Sequence, residues 1–148
     1  MNKLTLATRT VFPFLFALAV GACSTAYQEA TELPMFWPGA GYHEEAAPGG
    51  LIKVAFKGNR DILMYKVADY TLYRCAEIAQ REKSPYFALY QTISDAIQNN
   101  RTSTVRPTTL SGLPVADVYV RLHQAGEPGL LSTAEVLARL RPSVRGDK

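Results

Sequence analysis

Two cysteines are the residues of this 148-residue chain whose surroundings say most about their chemistry. Cys23 closes the run Val20-Gly21-Ala22-Cys23, where two small side chains precede a thiol at the end of an apolar stretch. Small residues there suit a peptidase that cuts just before the cysteine, which would make Cys23 the first residue of the shortened chain. Cys75 is different: it recurs at helical spacing with Ala68, Leu72, Ala76 and Ala79, the pattern of a buried thiol that acts as a small hydrophobe. If Cys23 carries a covalent group of its own, Cys75 has no partner for an intramolecular disulfide. Among polar groups, Asp69, Arg74 and Glu77 form the best trio, with Arg74 and Glu77 one helical turn apart; they are candidate binding residues, and a structural ion network explains them better than a catalytic role does. Arg101 and Arg106, set among Asn99, Asn100, Thr102 and Thr104, offer donors to a glycan or an anionic partner, or simply decorate a solvated hairpin. His43-Glu44-Glu45 lacks the second histidine a helical zinc site needs four residues on, and His123 is placed to shape a turn. No set of metal ligands, no nucleophile with its base and no cofactor site can be assembled.

The segment before Cys23 has the three parts of a secretion leader. Lys3 and Arg9 give a positive start, Val11 to Val20 an apolar stretch, and Gly21-Ala22 the small residues at the cut. The apolar stretch is about half of the roughly 20 residues needed to span hydrocarbon, and Pro13 interrupts it. The whole resembles the lipobox of bacterial lipoproteins, which implies that residues 1–22 are removed and Cys23 carries the anchor. Ser24 after the cysteine, in place of aspartate, implies the periplasmic face of the outer membrane. Removing Lys3 and Arg9 takes the basic count from 16 to 14 against 13 acids, so the net charge falls from +3 to +1. That balance leaves no basic stripe for nucleic acid.

Residues 23–50 then read as a lipidated N-terminus and flexible tether, punctuated by Pro34, Pro38, Gly39, Gly41, Pro48, Gly49 and Gly50. Within it, Met35-Phe36-Trp37 is either an aromatic foot at the membrane interface or a latch that buries an apolar patch of the domain. Residues 51–148 read as one small α+β domain: a mostly antiparallel sheet of about three strands on one long helix, with a short C-terminal helix. The strands fall at Leu51 to Phe56, Tyr86 to Ile93 and Val115 to Leu122, each by alternation of apolar and polar residues. The long helix is expected from a cap at Asn59 or Asp61 to about Lys83, with Tyr65 on its apolar face and a Glu77–Arg81 pair. Ser132 and Glu135 form a capping-box pattern for the last helix, which Pro142 is expected to end. Ser94 to Pro114 is left as a long polar connection.

The series Gly41-Tyr42, Val54-Ala55-Phe56-Lys57-Gly58-Asn59, Asp69-Tyr70-Thr71-Leu72-Tyr73-Arg74-Cys75-Ala76-Glu77, Tyr86-Phe87 and Ala134-Glu135-Val136-Leu137 resembles a family of short proteobacterial lipoproteins without established activity. Cys75 stands where that family has alanine, and Ser84-Pro85 where it has a glycine-containing turn. The resemblance implies an address and a fold, and no reaction. Two function classes follow. The first is a membrane-anchored, non-enzymatic lipoprotein that binds an envelope protein or glycan; the alternative is an enzyme acting on envelope glycan or lipid.

Overall fold

The computed structural model describes residues 25–30 and 39–146. The leader, Cys23 and Met35-Phe36-Trp37 lie outside the described residues. The chain begins its sheet with β1 (Gly41–Ala47), turns through one 3₁₀ turn at Pro48–Gly50, and returns as β2 (Leu51–Lys57). Then follow α1 (Met64–Arg81), β3 (Tyr86–Tyr90), α2 (Ile93–Gln98), β4 (Thr108–Leu110), β5 (Leu113–His123), β6 (Leu131–Ser132) and α3 (Thr133–Arg145). The sheet order is β1-β2-β5-β3-β6, with β4 also on β5, and every pairing is antiparallel. The long strand β5 therefore lies between β2 and β3, and α1 crosses over it.

The fold is α+β as expected, but the sheet has six strands where about three were anticipated. The three extra strands, β1, β4 and β6, had weak local signals. β1 carries Tyr42 and Glu44 on one face and His43 and Glu45 on the other, a polar alternation in a glycine-rich stretch, so Gly41 to Gly50 is a hairpin arm and not tether. β4 and β6 are three and two residues long, below any periodicity signal, and exist because β5 and β3 offer them an edge. The strand at Tyr86 ends at Tyr90, because Thr92 and Asp95 form a reciprocal capping box that starts α2. The connection from 94 to 114 accordingly contains α2, a bridge from Thr102 to Leu89, and β4.

One sheet face packs on α1 and α3. Val54, Phe56, Ala116, Val118, Val120, Phe87 and Leu89 meet Val67, Tyr70, Ile78 and Ala79 of α1 and Val136, Leu137 and Leu140 of α3. Each fully buried side chain of this size contributes roughly 1.5–3 kcal/mol. On the opposite face a smaller cluster of Leu51, Ala88, Tyr90 and Ala96 seats α2. The helix start differs from expectation: α1 begins at Met64 without a side-chain cap, since Asn59 is bonded elsewhere, and Tyr65 is exposed rather than on the core face. Pro142 lies inside α3, not at its end. The carbonyl it leaves without a donor belongs to Ala138 on the exposed side, where water can satisfy it.

Residues 28–30 run parallel to β1 along its outer edge. Tyr42 N–H donates to the Gln28 carbonyl and Ala30 N–H to the Tyr42 carbonyl, both at 2.8 Å. This approach requires glycine at position 41, whose φ is +137°; a Cβ there would sit 2.5 Å from the Gln28 oxygen and 2.8 Å from the Ala30 nitrogen. Gly41→Ala is therefore expected to destabilise the protein by about 1–3 kcal/mol, read as a lowered urea midpoint. An unchanged midpoint would show that residues 28–30 do not hold this position.

Candidate functional site

The densest polar cluster lies where the segment 25–30, β1, α1 and α3 meet. Tyr27 inserts its ring among three others, with centroids 5.1 Å from Tyr42, 5.5 Å from Tyr70 and 5.4 Å from Tyr73. The pairs with Tyr70 and Tyr73 are edge-to-face, and such pairs each add about 0.5–1.5 kcal/mol beyond area burial. The Tyr27 hydroxyl donates a hydrogen bond to Glu77 Oε2. Glu77 also receives Arg74 Nη1 at 3.0 Å and Arg145 Nη2 at 2.7 Å. Arg74 continues to Glu44 at 3.2 Å, and Glu44 to Arg81 at 2.7 Å. The result is an alternating chain Arg145–Glu77–Arg74–Glu44–Arg81, in which each inner group has an opposite charge on both sides. Arg74 also lies over the Tyr42 ring, 4.1 Å from its centroid, and Arg145 over Tyr27 at 5.1 Å.

Burial, reinforced by the Glu77 carboxylate, pushes the Tyr27 phenol well above its ordinary value near 10.0. The chemical capacity of this cluster is structural. Every carboxylate in it is already met by an arginine, and its hydroxyl is spent on Glu77. A few residues earlier, Thr25 N–H donates to Asn59 Oδ1 at 3.2 Å, and Asn59 N–H donates to Thr25 Oγ1 at 2.8 Å. Together these contacts buckle the segment 25–30 onto the domain.

The residues singled out from sequence are dispersed. Arg74 and Glu77 do pair, but Glu77 takes Arg145 and Arg81 takes Glu44, so the expected Glu77–Arg81 pair is not formed. The cause is tertiary: β1 and α3 bring counter-charges that the sequence of α1 does not contain. Asp69 lies apart, its carboxyl raised by burial, with Arg139 of α3 opposing the shift. Arg101 ties two loops together, donating to Glu127 Oε2 and the Pro128 carbonyl at 3.0 Å each. Arg106 is exposed at the approach to β4. Cys75 is buried in the core, which pushes its thiol well up, out of nucleophilic range. Among the described residues, no group of three or more His, Cys, Asp or Glu is placed to hold a metal ion, and no helix is long and apolar enough to cross a membrane.

A second feature lies on the sheet face away from α1. An open groove of about 490 Å³ has an apolar floor of Ala55, Val115 and Leu110. His43, Lys53, Lys57 and Asp117 stand along it, and Ala30 and Gly39 close one side. Lys53 is paired with Glu45 at 3.3 Å. The size is that of a ligand cleft, and the lining suits an apolar chain with polar groups at its edges. Sequence reading missed Tyr27, Glu44 and Arg145 because their charged partners are 30 to 68 residues away. The alternation of Tyr42 with Glu44 was the available signal.

Comparison with protein-family models, with curated proteins and with solved structures finds no match for this chain.

Two outcomes follow from the Tyr27 geometry. Tyr27→Phe keeps the ring contacts and loses the bond to a charged partner, an expected loss of about 1.5–3 kcal/mol in urea unfolding. In the wild type, the folded state holds the phenolic proton more tightly than the unfolded chain. The stability from Tyr27 is thus complete below about pH 10 and declines as pH rises beyond it. That alkaline decline should be shallower in Tyr27→Phe; identical profiles would remove Tyr27 from the cluster's energetics.

Proposed function

We propose that this chain is a membrane-anchored lipoprotein of the cell envelope, acylated at Cys23, with a non-enzymatic binding or accessory role. The observation that carries this reading is the buckle at residues 25–30. A chain emerging from an acylated Cys23 would be fastened to the domain by Thr25 and Tyr27, within a few residues of the lipid. Such an attachment holds the domain at a defined height and orientation. The Ser24 that follows the cysteine favours the periplasmic face of the outer membrane.

The binding role is supported by the contrast between the two features of the surface. Each carboxylate of the charged cluster is met by an arginine, whereas the groove over Ala55 and Val115 is open. Its apolar floor favours an extended protein segment over a glycan, because sugars present hydroxyl groups that such a floor leaves unsatisfied. The polar groups Asp69, Arg101 and Arg106 lie away from the groove lining and serve structure or solvation in this reading.

The anchor is tested by metabolic labelling with palmitate: Cys23→Ala should lose the label and leave the membrane fraction, and persistent labelling would refute acylation at this residue. The groove is tested by placing a photo-crosslinking residue at Ala55 in cells. A crosslinked product of one discrete mass is expected; its absence, with crosslinking equal to that of a probe at exposed Glu135, would refute the groove as the binding surface.

A further inference from the structure

Large apolar side chains that stand exposed among the described residues are few, and they are not scattered. They are Leu63, Met64, Tyr65, Leu110 and Ile97. All but Ile97 lie at one end of the molecule. β2 stops there at Lys57, where Gly58 N–H donates to the Pro114 carbonyl at 2.8 Å. The β4–β5 hairpin carries Leu110 past that point, and the loop after Asn59 leads into Leu63, Met64 and Tyr65 at the start of α1. Leu63 and Tyr65 are each more than half exposed, at 56% and 58%.

The segment 25–30 enters the domain at this same end, since Thr25 is bonded in both directions to Asn59. The chain preceding it holds Cys23, two residues away, which is a reach of at most ~7 Å. Asn59 to Leu63 is four residues, at most ~14 Å. Arg60 and Lys66 flank the apolar side chains along the chain, with Asp61 the one acid between them. Apolar side chains flanked by basic residues suit an anionic lipid surface, and tyrosine is favoured at the headgroup level.

We propose that this end of the domain is a bilayer-contacting face, in which Leu63, Met64 and Tyr65 enter the headgroup region of an anionic phospholipid membrane. The inference rests on the anchor at Cys23. The lipid recruits the chain, the buckle fixes the angle, and the apolar loop seats the domain upright. β5, eleven residues long, then stands away from the surface, placing its far end ~36 Å from its start if it runs along the membrane normal.

The test uses the full acylated chain with its single tryptophan removed by Trp37→Phe and a new one introduced, either Tyr65→Trp or, at the far end, Gln124→Trp. Each is reconstituted in phosphatidylethanolamine–phosphatidylglycerol vesicles with brominated acyl chains, and flotation is measured beside emission. The expected result is that both float, that the tryptophan at 65 loses most of its emission to bromine, and that the one at 124 loses none. Flotation of both with no quenching at 65, or with equal quenching at the two sites, overturns the face and leaves the anchor standing. Failure of both to float overturns the anchor and this inference with it.

Discussion

Burying a tyrosine hydroxyl beside a carboxylate is tolerable only when cations share the carboxylate's charge, and the organisation of this domain follows from that requirement at Glu77. The carboxylate takes a proton donor from Tyr27 and cations from Arg74 and Arg145. Those groups come from the segment 25–30, from the middle of α1 and from the last turn of α3. Arg74 is held in turn by Glu44 of β1. The network thus joins the segment 25–30, β1, α1 and α3. Removing one member leaves a half-buried charge short of a partner, which is costlier than never having built the network.

The cluster also explains how the sheet ends. An edge strand presents unpaired backbone groups to other chains. The outer edge of β1 is covered near Tyr42 by residues 28–30, and Gly41 allows the backbones to approach. With α1 and α3 on one face and α2 on part of the other, what remains open is the groove above Ala55 and Val115. The surface thus carries two distinct features: a cluster of paired charges where the segment 25–30 docks, and an open groove with an apolar floor.

Much of the scaffold could be read from sequence because its signals are local. The alternation in Leu51 to Phe56 and Val115 to Leu122 marked β2 and β5, and the spacing of Leu72, Cys75, Ala76 and Ala79 marked the buried face of α1. What escaped was non-local. β1 is a polar strand whose register is set by β2 and whose Glu44 is set by Arg74 and Arg81. Asn59 looked like a helix cap and instead serves Thr25, thirty-four residues earlier. Tyr65 matched the helical spacing but faces out, because α1 begins only one residue before it and its first turn projects beyond the sheet. Tyr27 sat in a stretch whose composition suggests coil, and no periodicity can register a single aromatic that docks fifty residues away.

The central claim is that the chain just beyond Cys23 is fastened to the domain and not a free lead. Amide hydrogen exchange on the wild-type protein, read residue by residue, tests it most directly. The amides of Ala30 and Asn59, bonded to the Tyr42 carbonyl and the Thr25 hydroxyl, should be protected by many orders of magnitude more than those of an exposed turn such as Ala125-Gly126. Exchange of Ala30 and Asn59 at the rate of that turn would contradict the account.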